Sequence, residues 1–223
     1  MSDAINADFS RPAIVHTAAV DWQPSPSPSV WRKRLDLAGP SETSRVTSVV
    51  RYDADSAFPS HRHPDGEEIL VLDGTFSDEH GDYPAGTYLL NPEGFSHAPF
   101  SKAGCVLFVK LRQYVGSGRQ QIIVDTNMGD WRPGRAPGIT VQPLYAEDGF
   151  AETMYLARLE AGAVSPAHDH PGGEEVFVID GDLHDEDGDY AAGSWFRLPA
   201  GSRHQPRSEG GCTLYVKTGH LPG

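Results

Sequence analysis

No apolar run in this 223-residue chain approaches the roughly 20 residues that a membrane-spanning helix needs. The opening residues, Met1-Ser2-Asp3-Ala4-Ile5-Asn6, contain neither a basic nor an apolar segment, so no leader is expected and the protein reads as soluble and cytoplasmic. Basic clusters are equally scarce. The longest, Arg32-Lys33-Arg34, spans three residues and reads as a solvated strand. With 18 basic against 31 acidic side chains the net charge is −13, which argues against nucleic acid or an anionic membrane as partner. There are only two cysteines, Cys105 and Cys212, and their apolar surroundings suggest small buried residues rather than a disulfide. Neither a Ser-His-Asp signature nor a phosphate-binding glycine loop occurs, so covalent catalysis and nucleotide chemistry have no support.

What the chain does contain is a duplication. His61, His63, Glu67 and His97 recur as His168, His170, Glu174 and His204, each displaced by 107 positions, as are the two cysteines. Residues 61–110 and 168–217 align without a gap and are identical at about half of their positions. Upstream the match continues with a two-residue shift, Thr17, Asp21, Trp22 and Pro24 pairing with Thr126, Asp130, Trp131 and Pro133. The sequence therefore predicts a first domain with an N-terminal arm over 1–112, a linker over 113–121 and a second domain over 122–223. The Pro- and Ser-rich stretch from Gln23 reads as an extended arm.

Within each copy no segment sustains a 3.6-residue apolar period. Thr47–Tyr52, Glu68–Leu72, Tyr88–Leu90 and Val106–Leu111 are short apolar or β-branched runs, with Gly, Pro, Asp and Ser between them. This predicts an all-β protein of sandwich or barrel type. The acidic stretches Ser77–Tyr83 and His184–Tyr190 lack the ligand spacing of a calcium loop and read as hairpin tips.

His61 and His63, two apart, project from one face of a strand, and a turn at Pro64-Asp65-Gly66 leads to Glu67. Barrel closure can bring His97 opposite them. Imidazole and carboxylate are donors for a divalent ion, and six of the ten histidines occupy these duplicated positions. His16, His80, His184 and His220 lack such repetition and read as ordinary surface residues. Glu68 and Glu175, next to the candidate ligands, read as supporting or turn-stabilising groups. The aromatic positions Tyr52, Tyr88, Phe108, Trp195 and Tyr215 read as packing, with the lining of a pocket as the alternative.

The second copy carries Gly162-x5-His168-x-His170-x3-Glu174-x6-Gly181 and Gly193-x5-Pro199-x-Gly201-x2-His204. These resemble the two motifs of the cupin superfamily. The first copy matches from His61 to Gly74 and from Gly86 to His97, with Asp55 in place of the first glycine; both copies end in Ser101 or Ser208 where Asn is common. His-Pro-x-Gly-Glu-Glu, Asp-Gly-Asp-Tyr and Gly-Cys narrow the resemblance to the cupin-like domain of ChrR-type anti-sigma factors.

That resemblance implies two tandem cupin (RmlC-like jelly-roll) β-barrels, each with a zinc site at His61, His63, Glu67 and His97 or at His168, His170, Glu174 and His204. It also implies a small-molecule-binding or regulatory role. ChrR-type proteins grip the sigma factor with a separate cysteine-containing domain. This chain has no cysteine before Cys105, so direct sigma-factor binding is not expected. Ligand identity alone does not choose the ion: tetrahedral zinc would close the shell, while octahedral iron, manganese or nickel would leave two positions open. A non-haem metal-dependent dioxygenase acting on a small diketone-like or hydroxyketone substrate is the alternative. A small-molecule ligand and a homodimer are both compatible with such barrels.

Overall fold

The computed structural model describes residues 4–40 and 43–222. Met1, Ser2 and Asp3 of the polar N-terminus lie outside them, as do Ser41, Glu42 and Gly223. Among the described residues the regular elements are strands and two single-turn 3₁₀ segments, Thr17–Ala19 and Thr126–Met128. No helix is long and apolar enough to cross a membrane.

Two compact units are present. The first comprises Val20–Met128 with the segment ending at Ala7, the second Asp8–Ala19 with the segment beginning at Gly129. The main sheet of the first runs Ile122–Asp125, Thr87–Asn91, Glu67–Asp78, Cys105–Leu111, Val46–Tyr52, Val30–Leu37, Gln23–Pro24. In the second, Ala13–His16, Ser194–Leu198, Glu174–His184, Cys212–Thr218, Thr153–Leu159, Ile139–Tyr145 and Arg132–Pro133 follow the same order. All pairings are antiparallel.

The compact units and the sequence repeats do not share boundaries. Ile122–Asp125 opens the second repeat but pairs with Thr87–Asn91 in the first unit. Ala13–His16, the corresponding strand of the first repeat, pairs with Ser194–Leu198 in the second. The connector over 113–121 belongs to the first unit, where Tyr114 is fully buried and its hydroxyl donates to Glu68.

Strand alternation builds each interior. Ile69 and Val71 join Leu89, Leu107 and Val109 in the first core; Val176 and Val178 join Phe196, Leu214 and Val216 in the second. Each such side chain contributes about 1.5–3 kcal/mol when fully buried. Cys105 and Cys212 are free and buried, and burial pushes both thiols up to about 11. Tyr88, Phe108, Trp195 and Tyr215 are buried packing residues as well.

A small two-stranded ladder accompanies the main sheet of each barrel. His61–Arg62 pairs with Ser96–His97, placing His61 opposite His97. His168–His170 pairs with Ser202–His204, placing His168 opposite His204. The missing motif glycine costs the first copy little architecture. Asp55 adopts φ 60° where Gly162 has φ 79°, a left-handed conformation that Asp tolerates better than most residues.

Candidate metal centre

The ladder and the long strand beside it gather the predicted residues. In the first barrel the imidazole rings of His61, His63 and His97 have centroid separations of 4.8, 5.1 and 5.0 Å. Glu67 Oε2 lies 3.5 Å from His63 Nε2 and 3.6 Å from His97 Nε2. The second barrel repeats this, with ring separations of 4.7, 4.9 and 4.9 Å, and Glu174 Oε2 3.5 Å from His170 Nε2 and 3.3 Å from His204 Nε2. One donor atom from each of His168, His170, Glu174 and His204 lies within 4.8 Å of every other. In the first barrel that tight grouping holds His61, His63 and His97, with Glu67 set slightly back. Asn91 explains the offset, since its amide donates to Glu67 Oε2 at 3.2 Å, whereas the second copy has Leu198 there.

The far side of several rings fixes which nitrogen faces inward. His61 Nδ1 lies 3.0 Å from the Pro59 carbonyl and His168 Nδ1 2.9 Å from that of Pro166. A carbonyl only accepts, so each Nδ1 carries the proton and each neutral Nε2 presents a lone pair to the cluster. His97 Nδ1 faces Asp78 Oδ2 at 3.2 Å, and His204 Nδ1 faces Asp185 Oδ2 at 3.0 Å. His170 Nε2 is buried with no hydrogen-bond partner. Lone pairs converging on one point, with one buried nitrogen left unsatisfied, are what a metal-binding donor set requires.

Asp78 and Asp185 were not foreseen as part of this site. Glu67 and Asp78 are eleven apart on one strand, which in regular β structure puts them on opposite faces. A bulge resolves this. The register against Cys105–Leu111 skips Leu72, and in the second copy it skips Ile179, so the alternation reverses and Asp78 or Asp185 turns inward. The other oxygen of each aspartate accepts from the hairpin tip: His80 N, Gly81 N and Tyr83 Oη for Asp78; Asp187 N, Gly188 N and Tyr190 Oη for Asp185. The signal was present in the sequence, since both aspartates sit at the same 107-residue displacement in the acidic hairpin tips.

Burial dominates the protonation of the clusters. It pushes His63 down to about 3 and His170 down to about 4, His61 and the Arg112 guanidinium adding to the effect at His63. His97 is lowered and Glu67 raised, again chiefly by desolvation. His204 departs from this pattern. Burial opposes its charge, yet the shorter bonds to Asp185 and Glu174 prevail and hold it up at about 9.

Two other readings of the sequence meet the structure here. Glu68 and Glu175 are buried on the opposite strand face, away from the clusters; Glu175 accepts from Trp195 Nε1 at 2.9 Å and meets His220 Nε2 at 2.5 Å. His220 is thereby corrected from a surface residue to a buried one, its side chain only 6% exposed.

A sequence model of the ChrR cupin-like domain matches residues 10–115 and again 119–222. The chain belongs to that family. No curated protein matches it. Among solved structures this ChrR cupin-like protein is similar to a candidate dioxygenase of Nostoc punctiforme PCC 73102, with TM-score 0.78 and 14% identity over 95% of this chain and 84% of that one. Escherichia coli YlbA gives 0.74 and 14% over 99% and 96%. A variant of Bacillus subtilis oxalate decarboxylase gives 0.67 and 14% over 93% and 77%. At such identity these likenesses establish the fold: two tandem cupin jelly rolls.

The cavities beside the two clusters differ. In the second barrel a space of about 700 Å³ reaches His168, His170, Glu174 and His204, between apolar walls that include Val141, Leu159, Leu183 and Val216. In the first, the space over His61, His63, Glu67 and His97 is about 80 Å³. Tyr52, Phe58 and Phe76 crowd it, where the second barrel has Leu159, Ser165 and Leu183. Tyr52 is thus a cavity wall and not packing alone.

Proposed function

We propose that each barrel holds one divalent ion, through His61, His63, Glu67 and His97 in the first and through His168, His170, Glu174 and His204 in the second. On this reading the protein acts as a metal-dependent small-molecule-binding or regulatory module, with the second barrel as its ligand chamber. The observation that carries it is the apolar 700 Å³ cavity opening onto four converging donors. That volume falls within the roughly 300–1,000 Å³ typical of small-molecule sites.

Zinc is the ion we favour. Ligands at 2.0–2.1 Å around a tetrahedral ion are separated by about 3.3–3.4 Å. The spacings of 3.3 and 3.5 Å about Glu174 Oε2 lie near that figure, while the 3.0 Å between His63 Nε2 and His97 Nε2 falls short of it. When bound, such an ion polarises an oxygen placed beside it or links the barrel walls rigidly. The protein's own part is to gather three imidazoles and a carboxylate, orient two of the rings in each barrel through Nδ1, and surround them with apolar walls that shed water. A metal-dependent dioxygenase is the competing reading, supported by the same chamber beside the cluster.

Elemental analysis of protein purified without added metal tests the first reading, with two equivalents of zinc per chain expected. Metal below stoichiometry after careful loading overturns it. Oxygen uptake by iron-loaded protein across a panel of diketones and hydroxyketones decides for the competing reading; no uptake decides against it.

A further inference from the structure

The first barrel opens through a cleft of about 320 Å³ that shares Arg32, Phe58, His61 and His63 with the space over the cluster. Arg32, Arg34, Arg62 and Arg112 also line it, and no aspartate or glutamate does among the described residues. In a chain carrying 31 acidic side chains against 18 basic ones, that concentration of one sign runs against the composition.

The strand explains two of the four. Arg32 and Arg34 alternate with Lys33, whose ammonium lies over Trp22 on the opposite face, so both guanidinium groups turn toward the cleft. Two of the three residues of the run that reads as a solvated strand in the sequence, Arg32 and Arg34, are instead half-buried cavity wall. Arg112 is the third. It adopts φ 59°, where the second copy has Gly219 at φ 82°. Their amides make equivalent bonds, Arg112 N to the Gly66 carbonyl and Gly219 N to the Gly173 carbonyl. A long side chain is thus kept at a backbone position suited to glycine.

At the four equivalent positions the second barrel carries no cation, and its cavity is lined by a single arginine, Arg135, from elsewhere in the chain. Val141, Pro143, Asp169 and Gly219 occupy the positions of Arg32, Arg34, Arg62 and Arg112. Asp169 is engaged by Arg203 at 3.0 Å through both carboxylate oxygens.

We infer that the first barrel's cleft is a binding site for a small polyanion, a compact molecule bearing two or three carboxylate or phosphate groups, clamped by Arg32, Arg34 and Arg112 beside the histidine wall. Guanidinium forks suit both head groups, and several around one cleft favour a multiply charged ligand over a single carboxylate. This deepens the proposed function by giving the first barrel its own ligand class, and it rests on that reading only in taking the histidine cluster as the floor of the site.

Isothermal titration of the full zinc-loaded chain tests it, using glutarate, tricarballylate and inorganic phosphate, with acetate as monoanion control. One equivalent of a di- or trianion should bind at least tenfold more tightly than acetate, with affinity falling as salt rises. The carboxylate and phosphate arms identify the head group. Arg34→Gln and Arg112→Gly should each weaken binding at least tenfold; the second restores the residue that the other copy carries in the same backbone conformation. Arg203→Gln, in the other barrel, should leave it unchanged. Absence of saturable polyanion binding, or affinity unchanged from the wild type in both cleft variants, overturns the inference. Zinc measured on the same samples separates the two readings. Polyanion binding without stoichiometric zinc upholds the cleft and removes the metal reading, while two zinc equivalents without polyanion binding do the reverse.

Discussion

The two barrels share a backbone plan and a donor set but not a cavity. One encloses about 80 Å³ above its cluster beneath a cationic cleft; the other opens about 700 Å³ between apolar walls. Four exchanges account for most of this: Tyr52, Phe58, Phe76 and Arg32 against Leu159, Ser165, Leu183 and Val141. Duplication kept what the donor set needs and released what surrounds it. The retained positions are therefore the clearest record of shared chemistry, and the divergent ones of separate ligands.

The largest expected effect is also the simplest division of the two halves. His97→Ala should lower metal content from two equivalents to one by emptying the first site, and His204→Ala should empty only the second. Loss of both equivalents in either variant would make the sites interdependent and the comparison void. Next come the aspartates. Asp78→Asn and Asp185→Asn remove the carboxylate that holds Nδ1 of His97 or His204, and each should cost about 10–100-fold in affinity, measured by chelator competition. A larger loss is expected at Asp185, whose contact is 3.0 Å against 3.2 Å.

The pH dependence of stability should separate the barrels once metal is stripped. His63 and His97 titrate below their ordinary range in the folded state, so the unfolded chain takes up protons first as pH falls. The stability they confer is complete above about pH 6.5 and is lost progressively toward about pH 3. His204, held up at about 9, works in the other direction: its contribution is complete below about pH 6.5 and fades as pH rises toward 9. Hydrogen exchange on apoprotein should show both barrels loosening below about pH 6.5, through His63 and His97 in the first and His168 and His170 in the second. Between about pH 6.5 and 9 the second alone should loosen, as His204 gives up its proton. Equal behaviour of the two barrels over that upper range would contradict the difference between His97 and His204. The smallest effect concerns one backbone position. Asp55→Gly should stabilise the first barrel by about 0.5 kcal/mol, and Gly162→Asp should destabilise the second by about as much, read from thermal melts of metal-loaded protein.

Much of this was legible in the residues. The 107-residue displacement exposed the duplication and both donor sets, and the short runs around Thr47, Glu68, Tyr88 and Val106 marked core strands now bounded as Val46–Tyr52, Glu67–Asp78, Thr87–Asn91 and Cys105–Leu111. The bulge at Leu72 was not, because a one-residue register skip leaves no compositional trace, and Asp78 was hidden with it. The pairing of Ile122–Asp125 with the first unit was equally opaque, since local pattern names a strand without naming its neighbour. Arg32 and Arg34 misled for a related reason: alternation gives two faces, and only tertiary packing decides which one encloses a cavity.

The double grip of Asp78 has a practical corollary. One oxygen is tied to the loop amides of His80 and Gly81, the other to an imidazole deep in the barrel. The hairpin tip is thus a surface handle on an interior event, and amide exchange or protease nicking there would serve as an outside gauge of whether the centre is filled.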